Sequence, residues 1–137
     1  MDEAILEIVR NWLMRASHDL RSARILAAVE NPLLDTAIYH CQQTAEKAVK
    51  AWLQSRDEPF AKTHDVEDLI AQAATSLPGF KQFAAAAEIL TPYASAFRYP
   101  GGADEPMPTR KEFDEALHHA QAIYDFVVQV LPPEARP

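Results

Sequence analysis

The sequence predicts an all-α, up-and-down antiparallel helical bundle of four long helices plus one short helix. Three observations carry that expectation. Apolar residues recur at three- and four-residue steps over long segments, the period of one helix face. Glycine is scarce, 3 residues in 137, while alanine is abundant, which favours helix over sheet. No stretch shows the strict alternation of a half-buried strand, and no repeat or low-complexity tract interrupts the pattern. Long helices joined by short breaks pack as antiparallel neighbours.

The first helix is expected over about 3–29. Ile5, Val9, Trp12, Leu13, Ala16, Leu20, Ala23 and Ala27 share one face. "ENP" ends it, with Asn31 closing this helix or capping the next and Pro32 suited to a first turn. The second helix spans about 33–55. "RDEPFAKTH" then reads as a loop punctuated by Pro59. The short helix covers about 65–74, with Thr63 or Asp65 as its N-cap.

After "SLPG", the fourth helix is expected over about 80–97, with Phe83, Ala87 and Leu90 inward. Pro92 either kinks it or starts a fresh turn. "RYPGGADEPMP" is irregular, and Thr109 with Glu112 spells a capping box. The last helix runs to about Leu131, burying Phe113, Ala116, Leu117, Ala120, Tyr124, Val127 and Leu131. Residues 132–137 read as a frayed tail.

A chain of this length points to one domain over 1–137 with a single core. It is 48% hydrophobic and 24% charged, a globular balance. The one cysteine, Cys41, excludes an intramolecular disulfide and suits a reducing cytoplasm. It has no Cys or His neighbour at zinc-ligand spacing, so it reads as a small core residue. The acidic start "MDEAILEIVRNW" is not a signal peptide, and no apolar run could span a bilayer. A formal net charge of −7 argues against broad adhesion to RNA or DNA. It leaves room for a small, locally basic site.

The stretch "HCQQTAEKAVKAW", His40 to Trp52, divides sharply on a helical wheel. Ile38, Cys41, Ala45, Ala48, Val49 and Trp52 form one side. Tyr39, His40, Gln43, Glu46, Lys47 and Lys50 form the other. As a solvated face, the stripe needs only an i,i+4 pair between Glu46 and Lys50, worth about 0.3–0.5 kcal/mol. As a partner or ligand surface, its Tyr and Gln gain a use that solubility does not give them.

Read together, "AxxDLxxA" (Ala16, Asp19, Leu20, Ala23), "HCQQTAEKAVKAWL", "KTHDVEDL" and "FRYPG" resemble the HEPN domain in order and spacing. The resemblance covers almost the whole chain, and the "QQxxEKxxKA" block is its most specific part. It implies a helical bundle that pairs as a homodimer. It further implies a bacterial or archaeal toxin–antitoxin-like partnership with a minimal nucleotidyltransferase, often a separate chain. No cofactor or metal is implied.

Many HEPN proteins are metal-independent RNases that use an Arg followed by a His four to six residues later. An Arg stabilises charge on phosphate, and a His moves the proton of the 2′-hydroxyl. Arg98 fits the Arg position. The "YPGGADEPMPTR" that follows has no His, and His118 and His119 lie inside the last helix. The sequence therefore predicts RNase turnover that is absent or very weak, unless His64 or His40 is brought beside Arg98 by the fold. His18 lies in the first helix, and the adjacent His118 and His119 diverge on a helix, so they are not expected to share a metal. Gly101-Gly102 lacks the context of a phosphate loop, and Asp104-Glu105 has nothing to position it.

Two further readings remain open from the residues. Lys47, Lys50 and Arg98 could hold a small nucleotide or other anion. Alternatively, Gln43, Glu46, Lys47 and Lys50 could fix the Arg98-Tyr99 segment, with Glu46 gripping Arg98 and the two lysines facing outward beside a partner. The expected binding or interface set is Tyr39, Gln43, Glu46, Lys47, Lys50, Arg98 and Tyr99.

Overall fold

A computed structural model describes residues 1–100 and 106–137. Gly101-Gly102 and Asp104-Glu105 lie outside the described residues. Among the described residues five α-helices follow in order: α1 Glu3–Ala28, α2 Leu34–Ser55, α3 Val66–Ser76, α4 Ala84–Leu90 and α5 Arg110–Val130. No strand occurs among the described residues.

Cross-helix contacts fix the directions. Asp19 of α1 meets His40 and Lys47 of α2, and the Leu33 amide donates to the Leu26 carbonyl. Arg110 at the start of α5 donates to the Ala27 carbonyl, while Arg10 reaches Glu134 just beyond the end of α5. So α1 runs antiparallel to both α2 and α5. The pieces from α3 to α4 close the other side of α2.

That arrangement makes α2 the central element. It packs against α1, α3, α4 and α5. All six residues assigned to its apolar face are buried. Burial pushes the Cys41 thiol up to about 12, so it sits in the core as an unreactive thiol. At one end of the bundle Trp52, Phe80, Phe83 and Phe126 pack edge to face, with centroids 5.0–5.2 Å apart.

The helix signals act as expected at most ends. Asp65 caps α3 by accepting from the Asp68 amide, and Thr63 accepts from the Asp65 amide. Thr109 and Glu112 form the reciprocal capping box of α5 at 3.1 and 2.9 Å. Thr109→Ala is expected to cost about 1 kcal/mol by denaturant titration, because it frees one amide of the first turn.

Three expectations need correction. The fourth long helix is a composite: a 3₁₀ segment Pro78–Phe83, the seven-residue α4, and a 3₁₀ turn Thr91–Ala94. Pro92 enters that last turn near its start, where its missing N–H costs no bond. Pro32 lies before α2 rather than in its first turn, since Asn31 adopts φ 56° and the chain turns there. Nor is the C-terminal tail frayed. Pro133–Ala135 form a 3₁₀ turn, Ala135 is fully buried, and Arg10 Nε donates to the Glu134 carbonyl at 2.6 Å.

Candidate functional site

The polar stripe of α2 is surface only in part: Tyr39, His40 and Lys47 are half-buried, whereas the rest is covered. Gln42, Gln43, Glu46 and Lys50 are all buried, beneath α1 on one side and the chain around Phe60 to His64 on the other. Burying such groups is tolerable only when each finds partners. Here no buried side-chain nitrogen or oxygen of the described residues is left without one.

Glu46 is the hub. Its Oε2 accepts from Lys50 Nζ at 3.0 Å. Its Oε1 faces His64 Nδ1 at 2.9 Å and accepts from Gln42 and Gln43 at 3.1 and 3.3 Å. Gln42 also donates to the His64 carbonyl, and Gln43 donates to Gln42 Oε1. The Lys50 ammonium lies 5.7 Å from the Trp12 ring centroid and 5.8 Å from that of Phe60, a desolvated cation beside an edge-to-face aromatic pair.

This geometry overturns the expected grip of Glu46 on Arg98. Among the described residues no hydrogen bond or ion pair joins them; Arg98 lies over Tyr39, about two turns before Glu46 along α2. Lys50 does not face outward either; it folds back onto Glu46. Lys47 folds onto Asp19 Oδ2 at 2.6 Å. The outward cation pair is therefore absent, and Gln43, Glu46 and Lys50 lie inside the chain's own fold rather than on an interface. The physical reason is the central position of α2, which covers Gln43, Glu46 and Lys50 on its polar side as well.

Asp19 is a site residue that the sequence pattern hides. Its carboxylate takes His40 Nδ1 on Oδ1 at 2.7 Å and Lys47 on Oδ2. Burial pushes the carboxyl up, but the hydrogen bonds from His40 and Lys47, reinforced by their charge, outweigh it and hold it below the usual carboxylate range. A signal was present. Asp19 stands three residues after Ala16 and four before Ala23, on the apolar side of α1. A carboxylate on a core face needs a cationic partner.

Arg98 comes back over the start of α2. Phe97, just before it, adopts φ 67°, a left-handed conformation costly for an aromatic residue. Phe97 stacks on Tyr93 with centroids 6.1 Å apart, and the turn sets the Arg98 guanidinium over the Tyr39 ring at 4.1 Å. The other side of that arrangement is His40, whose ring packs edge-on to Tyr39 at 5.6 Å. Asp35, Thr36, Tyr39, His40, Phe97 and Arg98 line one open cleft of about 280 Å³.

The structure thus brings Tyr39, His40 and Arg98 together. It places His64 elsewhere, on Glu46 with its side chain 74% exposed. Tyr99 is 70% exposed beside Arg98. His118 and His119 meet edge to face in α5, with ring centroids 5.5 Å apart. Among the described residues no group of three or more His, Cys, Asp and Glu could hold a metal ion, and no helix is long and apolar enough to cross a membrane.

A helical bundle with a buried polar seam between its first two helices, and an Arg carried back onto the second, defines the class. The chain belongs to the HEPN domain family, whose model matches residues 9–131. It is similar to TT1696 from Thermus thermophilus, at 31% identity and TM-score 0.78 over 90% of this chain and 98% of that one. It is also similar to ST0689, an archaeal HEPN homologue, at 27% identity and TM-score 0.71 over 88% and 95%. No curated protein matches the chain.

Proposed function

We propose that this chain is a homodimeric HEPN interaction module that acts with a minimal nucleotidyltransferase chain in a toxin–antitoxin-like pair. The observation that carries this reading is the exposed Arg98-Tyr99 end of the cleft. Tyr99 stands out into solvent at the rim, with Met107 also exposed a few residues on. Tyr, Met and Arg are the residue types enriched where proteins meet. The buried Gln43–Glu46–Lys50 layer serves this reading indirectly, as the rigid floor of the bundle.

Sedimentation at micromolar concentration is expected to give twice the 15.3 kDa chain mass, and Tyr99→Asp to shift the boundary towards the monomer. A monomer mass throughout removes the dimer. Tagged protein isolated from the native host is expected to bring down a nucleotidyltransferase chain; recovery of the bait alone removes the partner.

The cleft also favours a second reading, a metal-independent RNase with a non-standard site. Its support is specific: a histidine, His40, shares the cleft of Arg98 although none follows Arg98 at the family spacing.

A further inference from the structure

Helix α1 carries a second pattern on the side away from the core. Its buried residues run from Leu6 and Val9 through Leu13 and Ala16 to Ala27. On the opposite side Ala4, Ile8, Asn11 and Arg15 follow one another at alternating four- and three-residue steps. The same alternation continues through His18, Ser22 and Ile25 to Val29, just past the end of the helix. Apart from the half-buried Ser22, every one of these residues is exposed. Alternating steps of three and four are a heptad seam, the spacing with which one helix meets another.

The order of residues along the seam is a palindrome. Laid against a second α1 that runs the other way, Ile8 meets Ile25 and Ala4 meets Val29. Towards the centre Asn11 meets Ser22, and Arg15 meets His18. Each pair occurs twice, as a two-fold contact requires. Apolar residues meet at both ends, and the central pairs are ones that can hydrogen-bond. Other pairings fit worse. A parallel arrangement sets Arg15 on Arg15, and a slip of one heptad sets Ile25 on Arg15 or Ile8 on His18.

The receiving surface is already shaped. Ile8, Asn11, Trp12 and Arg15 line an open groove of about 230 Å³. Four residues at i, i+3, i+4 and i+7 are the set that surrounds an inserted side chain where helices pack. Arg15 is folded along its own helix, with Nε donating to Asn11 Oδ1 at 2.9 Å. In the antiparallel register Ser22 and Ile25 of the second copy come down on this groove, with Ile25 against Ile8.

We propose that the outer face of α1 is a two-fold seam at which a second copy of the chain docks, α1 antiparallel to α1 in this register. No seam residue lines the Arg98 cleft. The seam is therefore a contact between copies additional to the Arg98-Tyr99 rim, and it does not depend on that rim. Its size sets its strength. The 26 residues of α1 extend about 39 Å. A strip about 10 Å wide covers roughly 400 Å² on each copy, about 800 Å² in all. That is less than the about 1,200 Å² of a stable interface. The polar centre weakens the contact further while it fixes the register. The seam thus forms at high protein concentration, where it joins one rim-paired dimer to the next.

The test combines sedimentation over a wide concentration series with a register-specific crosslink. Tyr99→Asp removes the rim contact and is expected to leave a weak, concentration-dependent dimer. Adding Ile25→Asp, at an exposed position, is expected to raise the dissociation constant of that dimer tenfold or more, an effect of about 1.4 kcal/mol, with the helical dichroism unchanged. A mixture of the Ile8→Cys and Ile25→Cys variants, oxidised with diamide, is expected to give a disulfide-linked pair. Neither variant alone is expected to link, because its two thiols stand about 25 Å apart along the antiparallel helices. The native Cys41 is buried and takes no part.

If Tyr99→Asp is monomeric at every concentration, the seam is overturned and the rim dimer stands. Association that Ile25→Asp leaves unchanged overturns it equally. Linking of the Ile8→Cys variant to itself, as readily as in the mixture, means another pairing and also sinks the proposal. Association that Tyr99→Asp does not touch but Ile25→Asp abolishes removes the rim and supports the seam.

Discussion

Glu46→Ala is expected to destabilise the fold by about 3–5 kcal/mol in a denaturant titration, the range for breaking a buried ion pair on one side. The reason lies in what it leaves behind. Lys50 is almost completely buried, and Glu46 is its sole hydrogen-bond partner among the described residues. The aromatic faces of Trp12 and Phe60 offset only part of an uncompensated ammonium. Glu46→Gln keeps the size and one acceptor, and should fall between wild type and Glu46→Ala.

A second variant separates the pair's geometry from its charge. Replacing both Glu46 and Lys50 by methionine removes two buried charges at once, an exchange that is often close to neutral. The neighbouring amides survive the change, because Gln42 still donates to the His64 carbonyl and Gln43 to Gln42. The double substitution is therefore expected to be milder than Glu46→Ala alone. If Glu46→Ala costs within about 0.5 kcal/mol, as exposed positions do, the seam is not a stability element.

The same residues show why part of the molecule is legible in its sequence and part is not. Helix positions follow from periodicity and caps, which are local. Thr109 with Glu112, and Thr63 with Asp65, can be read because each signal sits within three residues of its target. The apolar face of α2 can be read because Cys41, Ala45, Ala48 and Trp52 repeat at helical steps.

The polar face of α2 misleads because a wheel shows which residues share a side, not whether that side is inner or outer. Gln43, Glu46 and Lys50 form a polar stripe whether solvent or α1 lies above them. The clue lies across the chain, in Asp19 on the apolar side of α1 and in Trp12 and Phe60. Asp19 signals a buried partner by itself, but Trp12 and Phe60 do not. The meeting of Arg98 with His40 is less visible still. It depends on a left-handed Phe97, a backbone state that the residue type argues against.

Asp19 supplies the second large effect and makes it depend on pH. Asp19→Ala removes the acceptor of both His40 and Lys47, whose side chains are each about one quarter exposed. Partial solvation lets those two groups recover some hydration, so the expected cost is about 2 kcal/mol, below that of Glu46→Ala. The sign of the pH effect follows from the direction of the shift. Asp19 has its folded-state acidity moved below the ordinary 3.8. A group of that kind contributes its full stabilisation above the unfolded value. The contribution shrinks as pH falls below about 3.8 and is gone once pH passes the lowered folded value. Asp19→Asn cannot ionise, so it lacks this contribution at every pH. The stability difference between wild type and Asp19→Asn is therefore expected to be constant near neutrality and to narrow on acidification below 3.8. Denaturant midpoints measured from about pH 7 down to the acid transition read this directly. A difference that stays constant through the acid range would mean that the Asp19 carboxylate gains nothing in the fold over the unfolded chain, and that His40 and Lys47 hold it only in passing.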